Sequence, residues 1–257
     1  MIYFVGAGSG AVDLITVRGQ NLLKQADIII YAGSLVNPEH LQVAKPDCEI
    51  FDSAGMTLEE VIAVMKRGEA AGKLTVRLHT GDPCLYGAIR EQMDWLDELG
   101  FAYEVVPGVS SFCGAAAALK AEYTLPDVSQ TVIITRMAGR TPVPEKEAMA
   151  QLASHGATMV IFLSMSLLPQ LQAQLLQGGY SEDTPVAIVY KATWPDEKVL
   201  RATVATFPQV AQENHITKTA LIVVGDFLGN RYERSKLYDP TFTHEFRVGK
   251  ENESERQ

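Results

Sequence analysis

Apolar residues in the first half of the chain recur in two alternating patterns. Short runs of β-branched and aromatic residues, such as residues 2–5 and 28–31, predict buried strands. Between these runs, apolar residues spaced three and four apart predict amphipathic helices. The helix predicted at residues 58–71 has the clearest signals, because Thr57 and Glu60 form a capping-box sequence at its start.

The two patterns alternate along most of the chain, which is typical of mostly parallel sheets with crossover helices. A break near residues 120–128, marked by Leu125-Pro126-Asp127, predicts a domain boundary. The sequence therefore predicts two α/β domains, at residues 1–120 and 121–240, with an interdomain cleft that holds ligands, followed by a tail at residues 241–257. Residues 250–257 are polar enough to be disordered. Strands are predicted at residues 2–5, 28–31, 73–78, 103–106, 131–135, 158–163, 186–190 and 219–224, and helices at residues 14–25, 58–71, 87–99, 110–119, 145–154 and 167–177.

Composition narrows the classes of function. With 257 residues, of which 47% are hydrophobic, the chain can bury a core in each domain. No apolar run reaches about 18 residues, so no membrane span is predicted. A net charge of −9 argues against RNA or DNA as the main partner. The first residues lack a basic leader, which favours a cytoplasmic protein.

Cysteine and histidine spacing predicts neither disulfides nor a metal site. Cys48, Cys84 and Cys113 lack the CxxC spacing of structural zinc sites and are predicted to be free thiols. The five histidines are scattered, so no protein-bound metal is expected. No Ser/His/Asp or Cys/His arrangement is evident, and no catalytic side chain can be assigned.

A glycine motif at residues 6–11 follows the first predicted strand and fits the pattern of a dinucleotide-binding loop. A nicotinamide dehydrogenase would place its ribose-binding acid at the end of the second strand. Here Asp27 stands before that strand, which argues against this reading.

A second glycine turn, Thr80-Gly81-Asp82-Pro83, follows the buried strand at residues 73–78 and is a favourable place for a ligand. This turn and four other motifs resemble the tetrapyrrole methylase family, in the family order and over nearly the whole chain. The resemblance implies a homodimeric C-methyltransferase whose cleft binds S-adenosylmethionine and releases S-adenosylhomocysteine. The other motifs are Val5-Gly6-Ala7-Gly8-Ser9-Gly10, Tyr31-Ala32-Gly33-Ser34-Leu35-Val36, Val106-Pro107-Gly108-Val109-Ser110-Ser111 and Ala220-Leu221-Ile222-Val223-Val224-Gly225.

The same resemblance implies the binding residues. The first glycine loop, with Gly8 and Ser9, would lie beside the tetrapyrrole. Its acetate and propionate groups need forked donors, for which Arg136, Arg140 and Arg18 are the candidates in that order. Donor contacts are implied for Thr80, Gly81, Asp82, Leu85, Ser110, Ser111, Leu163, Ala192 and Ala220.

Most of these residues also have a purely structural interpretation. Leu85, Leu163 and Ala220 have the composition of core residues, and the arginines that of solvated loop residues. Asp82 is also a common turn residue. Ser110 is expected to cap the helix that follows it as well as face the ligand. The nearby His79 is expected to be a hydrogen-bonded strand-end residue and not a base.

Three segments are most similar to the C-11 methyltransferases of precorrin-4 and cobalt-precorrin-4 in cobalamin synthesis. The uroporphyrinogen methyltransferases carry Gly-Gly-Asp-Pro and Tyr-Asp where this chain has residues 80–83 and 31–32. The expected substrate is cobalt-precorrin-4 of the anaerobic route, with cobalt present only inside the substrate. Metal-free precorrin-4, uroporphyrinogen, an RNA or protein substrate, and a non-catalytic tetrapyrrole-binding protein are the alternatives. The three segments are Arg77-Leu78-His79-Thr80-Gly81-Asp82-Pro83, Tyr31-Ala32-Gly33-Ser34-Leu35-Val36 and Thr135-Arg136-Met137-Ala138-Gly139-Arg140-Thr141-Pro142-Val143-Pro144.

Overall fold

The structure, a computed structural model, describes residues 1–250. All but the first residue of the segment predicted to be disordered, 250–257, lie outside this range. The described part contains ten strands and seven α-helices. These are β1 (Ile2–Gly6), α1 (Val17–Gln25), β2 (Ile28–Tyr31), β3 (Glu49–Asp52), α2 (Leu58–Ala70), β4 (Thr75–His79), α3 (Arg90–Glu98), β5 (Tyr103–Val106), α4 (Ser111–Leu119), β6 (Val132–Arg136), α5 (Met149–Ala153), β7 (Thr158–Phe162), α6 (Leu168–Gln177), β8 (Pro185–Tyr190), β9 (Lys198–Thr203), α7 (Phe207–Glu213) and β10 (Ala220–Val224).

The predicted elements are all present, with shifted ends in several cases. Helix α1 begins later than predicted because the Thr16 hydroxyl caps it by accepting from the Gly19 N–H. Both hydrogen bonds of the predicted capping box of α2 are formed, between Thr57 and Glu60. Three elements were not predicted: β3, β9 and α7.

The first sheet has the strand order β3-β2-β4-β1-β5, and its neighbouring strands are all parallel. The α/β class is confirmed. In a dinucleotide-binding fold the first strand lies beside the second, whereas β1 here lies between β4 and β5. Asp27 precedes β2, where its carboxylate binds the Lys45 ammonium at 2.5 Å and accepts from the Leu74 N–H. The dehydrogenase reading is therefore excluded.

Both faces of this sheet are covered, as expected for parallel strands. On one face, buried residues of β1 and β2 such as Phe4 and Ile30 pack against Met65 of α2 and Leu96 of α3. The other face packs against α1 through residues such as Leu23. The strands are therefore fixed, and the loops at their carboxyl ends are positioned by a rigid scaffold.

The second sheet has the order β6-β7-β10-β8-β9. Strands β6 and β7 are parallel, and β10 runs antiparallel to β7. The chain forms two compact units. The first contains Met1–Lys120, Val189–Leu200 and Ile216–Leu221, and the second contains Ala121–Ile188, Arg201–His215 and Ile222–Gln257. Within residues 1–250, no helix has the length and apolar character needed to cross a membrane.

Candidate functional site

Three glycines of the first unit meet at the carboxyl end of its sheet. Gly6 ends β1, and Gly81 and Gly108 each follow the end of a neighbouring strand by two residues. A Cβ atom on Gly6 would lie 2.6 Å from both the Gly108 Cα and the Gly81 carbonyl oxygen, and one on Gly108 would also collide with that oxygen. This glycine junction lets three loop backbones meet at the sheet edge where α/β proteins bind ligands.

Asp82 holds two of these loops together. One carboxylate oxygen accepts from the Cys84 N–H and the other from the Gly108 N–H, each at 2.8 Å. Burial alone would raise the pKa of Asp82, but the hydrogen bonds from Cys84 and Gly108 hold it below its ordinary value. Both oxygens of the ionised carboxylate thus accept hydrogen bonds from backbone N–H groups of the protein.

The turn at Gly81 faces the start of α4. Gly81 has a left-handed φ of +60°, and a Cβ atom there would lie 3.5 Å from the Ser110 Cα and the Ser111 N. Ser110 occupies the N-cap position and is buried, but its side chain makes no capping hydrogen bond, so the expected cap is wrong. Thr80 and Leu85 are half-buried on either side of this turn. The positive end of a helix dipole therefore faces the turn for which the resemblance predicts donor contacts.

The segment 191–197, here called the donor-side loop, carries Ala192. This residue is buried between Lys191 and Thr193, whose φ angles are +45° and +69°. The Lys191 N–H donates to the Thr219 carbonyl, next to Ala220, so two predicted donor contacts lie on neighbouring backbones. The Lys191 ammonium pairs with Asp196 at 2.6 Å and lies 5.3 Å from the centre of the Trp194 ring.

The first glycine loop is tightly held within the same unit. Gly8 and Gly81 exchange two backbone hydrogen bonds, of 3.2 and 2.9 Å. The Ser9 hydroxyl lies 3.0 Å from the Thr193 hydroxyl, and the Asn37 amide donates to the Gly10 carbonyl. Gly8 and Ser9 are both buried, and their contact with a tetrapyrrole stays a prediction.

Leu163, in the second unit, is 64% exposed and has a φ of +52°. The alternative that it is a core residue is wrong. A bulky residue rarely adopts left-handed backbone geometry, and such strain concentrates at ligand sites. The next residue, Ser164, stabilises the turn at Leu163, because its hydroxyl accepts from the Met137 N–H and donates to the Phe162 carbonyl.

The three candidate arginines are placed differently. The Arg136 guanidinium donates to the carbonyls of Met137, Thr141 and Pro142, so it organises the loop that follows β6. Arg140, in that loop, and Arg18, in the first turn of α1, are exposed, and their side chains have no hydrogen-bond or ion-pair partner within residues 1–250. Arg140 and Arg18 therefore keep their donors available for a ligand.

The three cysteines have raised pKa values, which favour the protonated thiol over the nucleophilic thiolate. The pKa of Cys84 is raised, mainly by a hydrogen bond with Asp82 and to a smaller extent by burial. Burial also raises the pKa of Cys113 and of Cys48. Within residues 1–250, no three His, Cys, Asp or Glu side chains are grouped so that they could hold a metal ion.

His79 is buried at the end of β4. Its pKa is lowered to about 3, mainly by burial and to a smaller extent by the nearby Arg77 charge. Its Nε2 has no hydrogen-bond partner among the described residues, so the expectation of a hydrogen-bonded residue is wrong for this atom. The imidazole is neutral at physiological pH.

Comparison with known proteins identifies relatives over almost the full length. The family model described as tetrapyrrole (corrin/porphyrin) methylases matches residues 1–208. A protein of Methanocaldococcus jannaschii named cobalt-precorrin-4 C(11)-methyltransferase is 52% identical over 247 residues, which cover 96% of this chain and 95% of the relative. A protein of Mycobacterium tuberculosis named precorrin-4 C(11)-methyltransferase is 46% identical, with coverages of 88% and 91%.

Solved structures give the same relationship. The X-ray structure of a cobalt precorrin-4 methyltransferase, described as a cobalamin biosynthetic enzyme, matches with a TM-score of 0.87 and 49% identity, covering 89% of this chain and 96% of that one. A uroporphyrin-III C-methyl transferase from Thermus thermophilus, complexed with S-adenosyl homocysteine, matches with a TM-score of 0.73 and 25% identity. The coverages for this second structure are 88% of this chain and 92% of that one.

Proposed function

The chain belongs to the tetrapyrrole (corrin/porphyrin) methylases, and from this we propose that it methylates cobalt-precorrin-4 at C-11, using S-adenosylmethionine, in the anaerobic route to cobalamin. The observation that carries the proposal is the 52% identity, over 96% of this chain, with a protein named for that reaction. The metal-free precorrin-4 reaction is the second candidate, because a relative named for it is 46% identical.

The residues around Gly81 fit a methyl donor. Gly81 presents backbone without a side chain, and the start of α4 beside it has no cap from Ser110. Amide N–H groups at a helix start favour an anionic group such as the donor carboxylate. We assign donor binding to Thr80, Gly81, Leu85, Ser110, Ser111, Ala192 and Ala220, with the Asp82 carboxylate holding the loops, and Leu163 supplying an exposed apolar contact.

When bound, S-adenosylmethionine would supply an activated methyl group to an electron-rich ring carbon, and S-adenosylhomocysteine would leave with the electron pair of the sulfur–methyl bond. The protein has to hold the ring carbon in line with that bond, about 3–3.5 Å from the methyl group. No covalent bond to the protein is required, which agrees with the raised pKa values of Cys84 and Cys113. Binding and orientation are therefore the main tasks of this chain.

The carboxylates of the macrocycle need cationic partners. Arg140 and Arg18 have free guanidinium groups, and Arg136 orders the loop that carries Arg140. We assign the forked carboxylate contacts to Arg140 and Arg18, with Arg136 positioning Arg140. Gly8 and Ser9 would support the ring from the first glycine loop.

We also propose a cytoplasmic homodimer that binds no nucleic acid and no membrane. Three free cysteines suit a reducing compartment. The net charge of −9 is unfavourable for binding a polyanion such as RNA. Sedimentation equilibrium would test the homodimer, and a concentration-independent monomer would contradict it.

The test is an anaerobic incubation of the protein with methyl-labelled S-adenosylmethionine and either cobalt-precorrin-4 or precorrin-4. The tetrapyrrole product is analysed by mass spectrometry and NMR, with reactions lacking protein as controls. We expect one added methyl group at C-11 and faster reaction of the cobalt-containing ring.

Other outcomes separate the alternatives. Faster methylation of the metal-free ring would favour the precorrin-4 reaction. Donor binding without methylation of either ring would contradict the substrate assignment, and methylation at another carbon would contradict the C-11 assignment. Failure to bind S-adenosylhomocysteine would contradict the donor site.

A further inference from the structure

Thr193, next to the proposed donor contact Ala192, has an unusual backbone conformation. Its φ is +69°, and a β-branched side chain in this region is an outlier. The Glu197 carboxylate holds this conformation by accepting from the Thr193 N–H at 2.6 Å. Glycine or asparagine would adopt the same backbone with less strain. Thr193 therefore combines a strained backbone with a side chain that makes specific contacts.

The Thr193 hydroxyl bridges two residues of the first glycine loop. It accepts from the Ala11 N–H at 3.1 Å and lies 3.0 Å from the Ser9 hydroxyl. The bridge is close-packed, because a Cβ atom on Gly114 of α4 would lie 2.7 Å from the Ser9 Cβ and 3.3 Å from the Thr193 methyl group. The left-handed backbone at Thr193 is thus combined with a polar contact between two loops.

The next residue strengthens the same connection. The Trp194 ring lies against Gly10 so closely that no side chain would fit at that position. Trp194 is also packed beneath the Lys191 ammonium, which is fixed by Asp196. The donor-side loop and the first glycine loop are therefore joined through the Thr193 hydroxyl and the Trp194 ring.

We propose that Thr193 is a positioning residue that couples donor binding at the donor-side loop to the geometry of the first glycine loop, to which the proposed function assigns tetrapyrrole contacts. The inference rests on the proposed function. Strain of this kind is retained where the surrounding structure requires it and where it contributes to pre-organisation. A donor that fixes Ala192 would then fix Ser9 and Ala11 through the Thr193 hydroxyl. In thermodynamic terms, each ligand would raise the affinity for the other by the same factor.

Three variants separate the hydroxyl from the backbone strain. Thr193→Val keeps the shape and removes the hydroxyl. Thr193→Ser keeps the hydroxyl, and Thr193→Gly relieves the strain and removes the side chain. For each variant, the affinity for S-adenosylhomocysteine is measured by calorimetry with and without cobalt-precorrin-4, and kcat and KM are measured for methyl transfer.

For the wild type, we expect each ligand to increase the affinity for the other by about tenfold. Thr193→Val should lose this coupling and lower kcat/KM for the tetrapyrrole by about tenfold or more, with little change in donor affinity alone. Thr193→Ser should restore both. Thr193→Gly should fold at least as stably as the wild type and still lack the coupling.

A second measurement does not need a tetrapyrrole. Hydrogen exchange of residues 6–11 is followed with and without S-adenosylhomocysteine, and we expect protection in the wild type and in Thr193→Ser but not in Thr193→Val. Equal protection in Thr193→Val would overturn the proposal. Parallel losses of stability and of both affinities in Thr193→Val and Thr193→Ser would also overturn it, because they indicate a structural role alone. Failure of the proposed function would be seen in the wild type itself, as an absence of methyl transfer.

Discussion

Gly81 and Gly72 have nearly the same left-handed backbone, with φ angles of +60° and +65°. A Cβ atom on Gly81 would lie beside the start of α4, whereas one on Gly72 would have no heavy atom within 4 Å. The two glycines therefore share a conformational constraint and differ in surroundings. The pair offers a matched test of the donor site.

We predict that Gly81→Leu abolishes measurable donor binding, because the side chain would cover the backbone at Ser110 and Ser111, to which we assign donor binding. Gly72→Leu has a similar strain, on the order of 1 kcal/mol, and should bind the donor normally. Calorimetric titration with S-adenosylhomocysteine measures both. Normal donor affinity in a folded Gly81→Leu variant would contradict the site assignment.

Single residues also show what the sequence could not reveal. The Asp82 and Arg136 side chains are predicted to contact ligands, and both also bond to backbone groups: Asp82 joins its own turn to the loop at Gly108, and Arg136 binds carbonyls of the loop that follows it. Residue type predicted a charged group at the correct place in the chain. It could not predict that loop geometry would bring N–H and carbonyl groups within reach of that charge.

At the scale of elements, the loop after β6 depends on Arg136. We predict that Arg136→Ala weakens tetrapyrrole binding and leaves donor affinity unchanged, because three loop carbonyls lose their donor. Arg140→Ala should also raise the tetrapyrrole KM, by about tenfold, through the loss of one charged contact. Hydrogen exchange of residues 137–142 should increase only in Arg136→Ala. A change in donor affinity without a change in tetrapyrrole binding would refute this assignment.

The cap of α2 gives a prediction about stability alone. Thr57→Ala should lower the free energy of unfolding by about 1 kcal/mol, because the Glu60 N–H loses its acceptor. Thr57→Ser should be close to the wild type. Urea denaturation of the three proteins provides the comparison, and equal stability of Thr57→Ala and the wild type would show that the cap contributes nothing.

The elements that sequence patterns found and missed differ in burial. Strand β4, with five buried residues, was predicted within two residues at its start and one at its end. Strand β3 lies at the edge of its sheet, and its four residues are alternately half-buried and exposed. Strand β9 also lies at an edge and is only partly buried. Short elements with little apolar periodicity give little signal. Helix α7 has only seven residues and a proline near its start.

At the scale of the whole molecule, the first unit is completed by segments far along the chain. Ser9 and Thr193 are separated by 184 positions, and their hydroxyl groups lie 3.0 Å apart. Such a contact leaves no local pattern in the sequence. The sequence could therefore predict the α/β class and the Thr80–Pro83 turn, whereas the Thr193 bridge required the folded structure.

Acid sensitivity is a second property of the whole molecule. The pKa of His79 is lowered from 6.5 to about 3, mainly by burial and to a smaller extent by the Arg77 charge. Burial also lowers the pKa of His40. Between pH 6.5 and pH 3, the unfolded chain gains a proton at His79 and the folded chain does not. We therefore predict that the free energy of unfolding falls by about 1 kcal/mol per pH unit from this residue as the pH decreases through that window.

Urea denaturation at pH 7, 6 and 5 measures this effect. The variant His79→Asn does not titrate in the window, and its stability should depend less steeply on pH than that of the wild type. His40 remains in both proteins and contributes equally to both slopes. Identical slopes would contradict the lowered pKa, because they would show that His79 takes up its proton equally in the folded and unfolded chains.

The glycine junction also limits how this protein can change by mutation. Gly6 and Gly108 both abut the Gly81 carbonyl, and neither neighbour has a side chain that could be made smaller. A substitution at either position has no compensating partner at the other two. In a library selected for methylation of a different ring, we expect new sequences to accumulate at residues such as Arg140 and Arg18, while these three positions remain glycine. Selection for a new substrate would therefore change residues around the glycine junction and leave its three glycines unchanged.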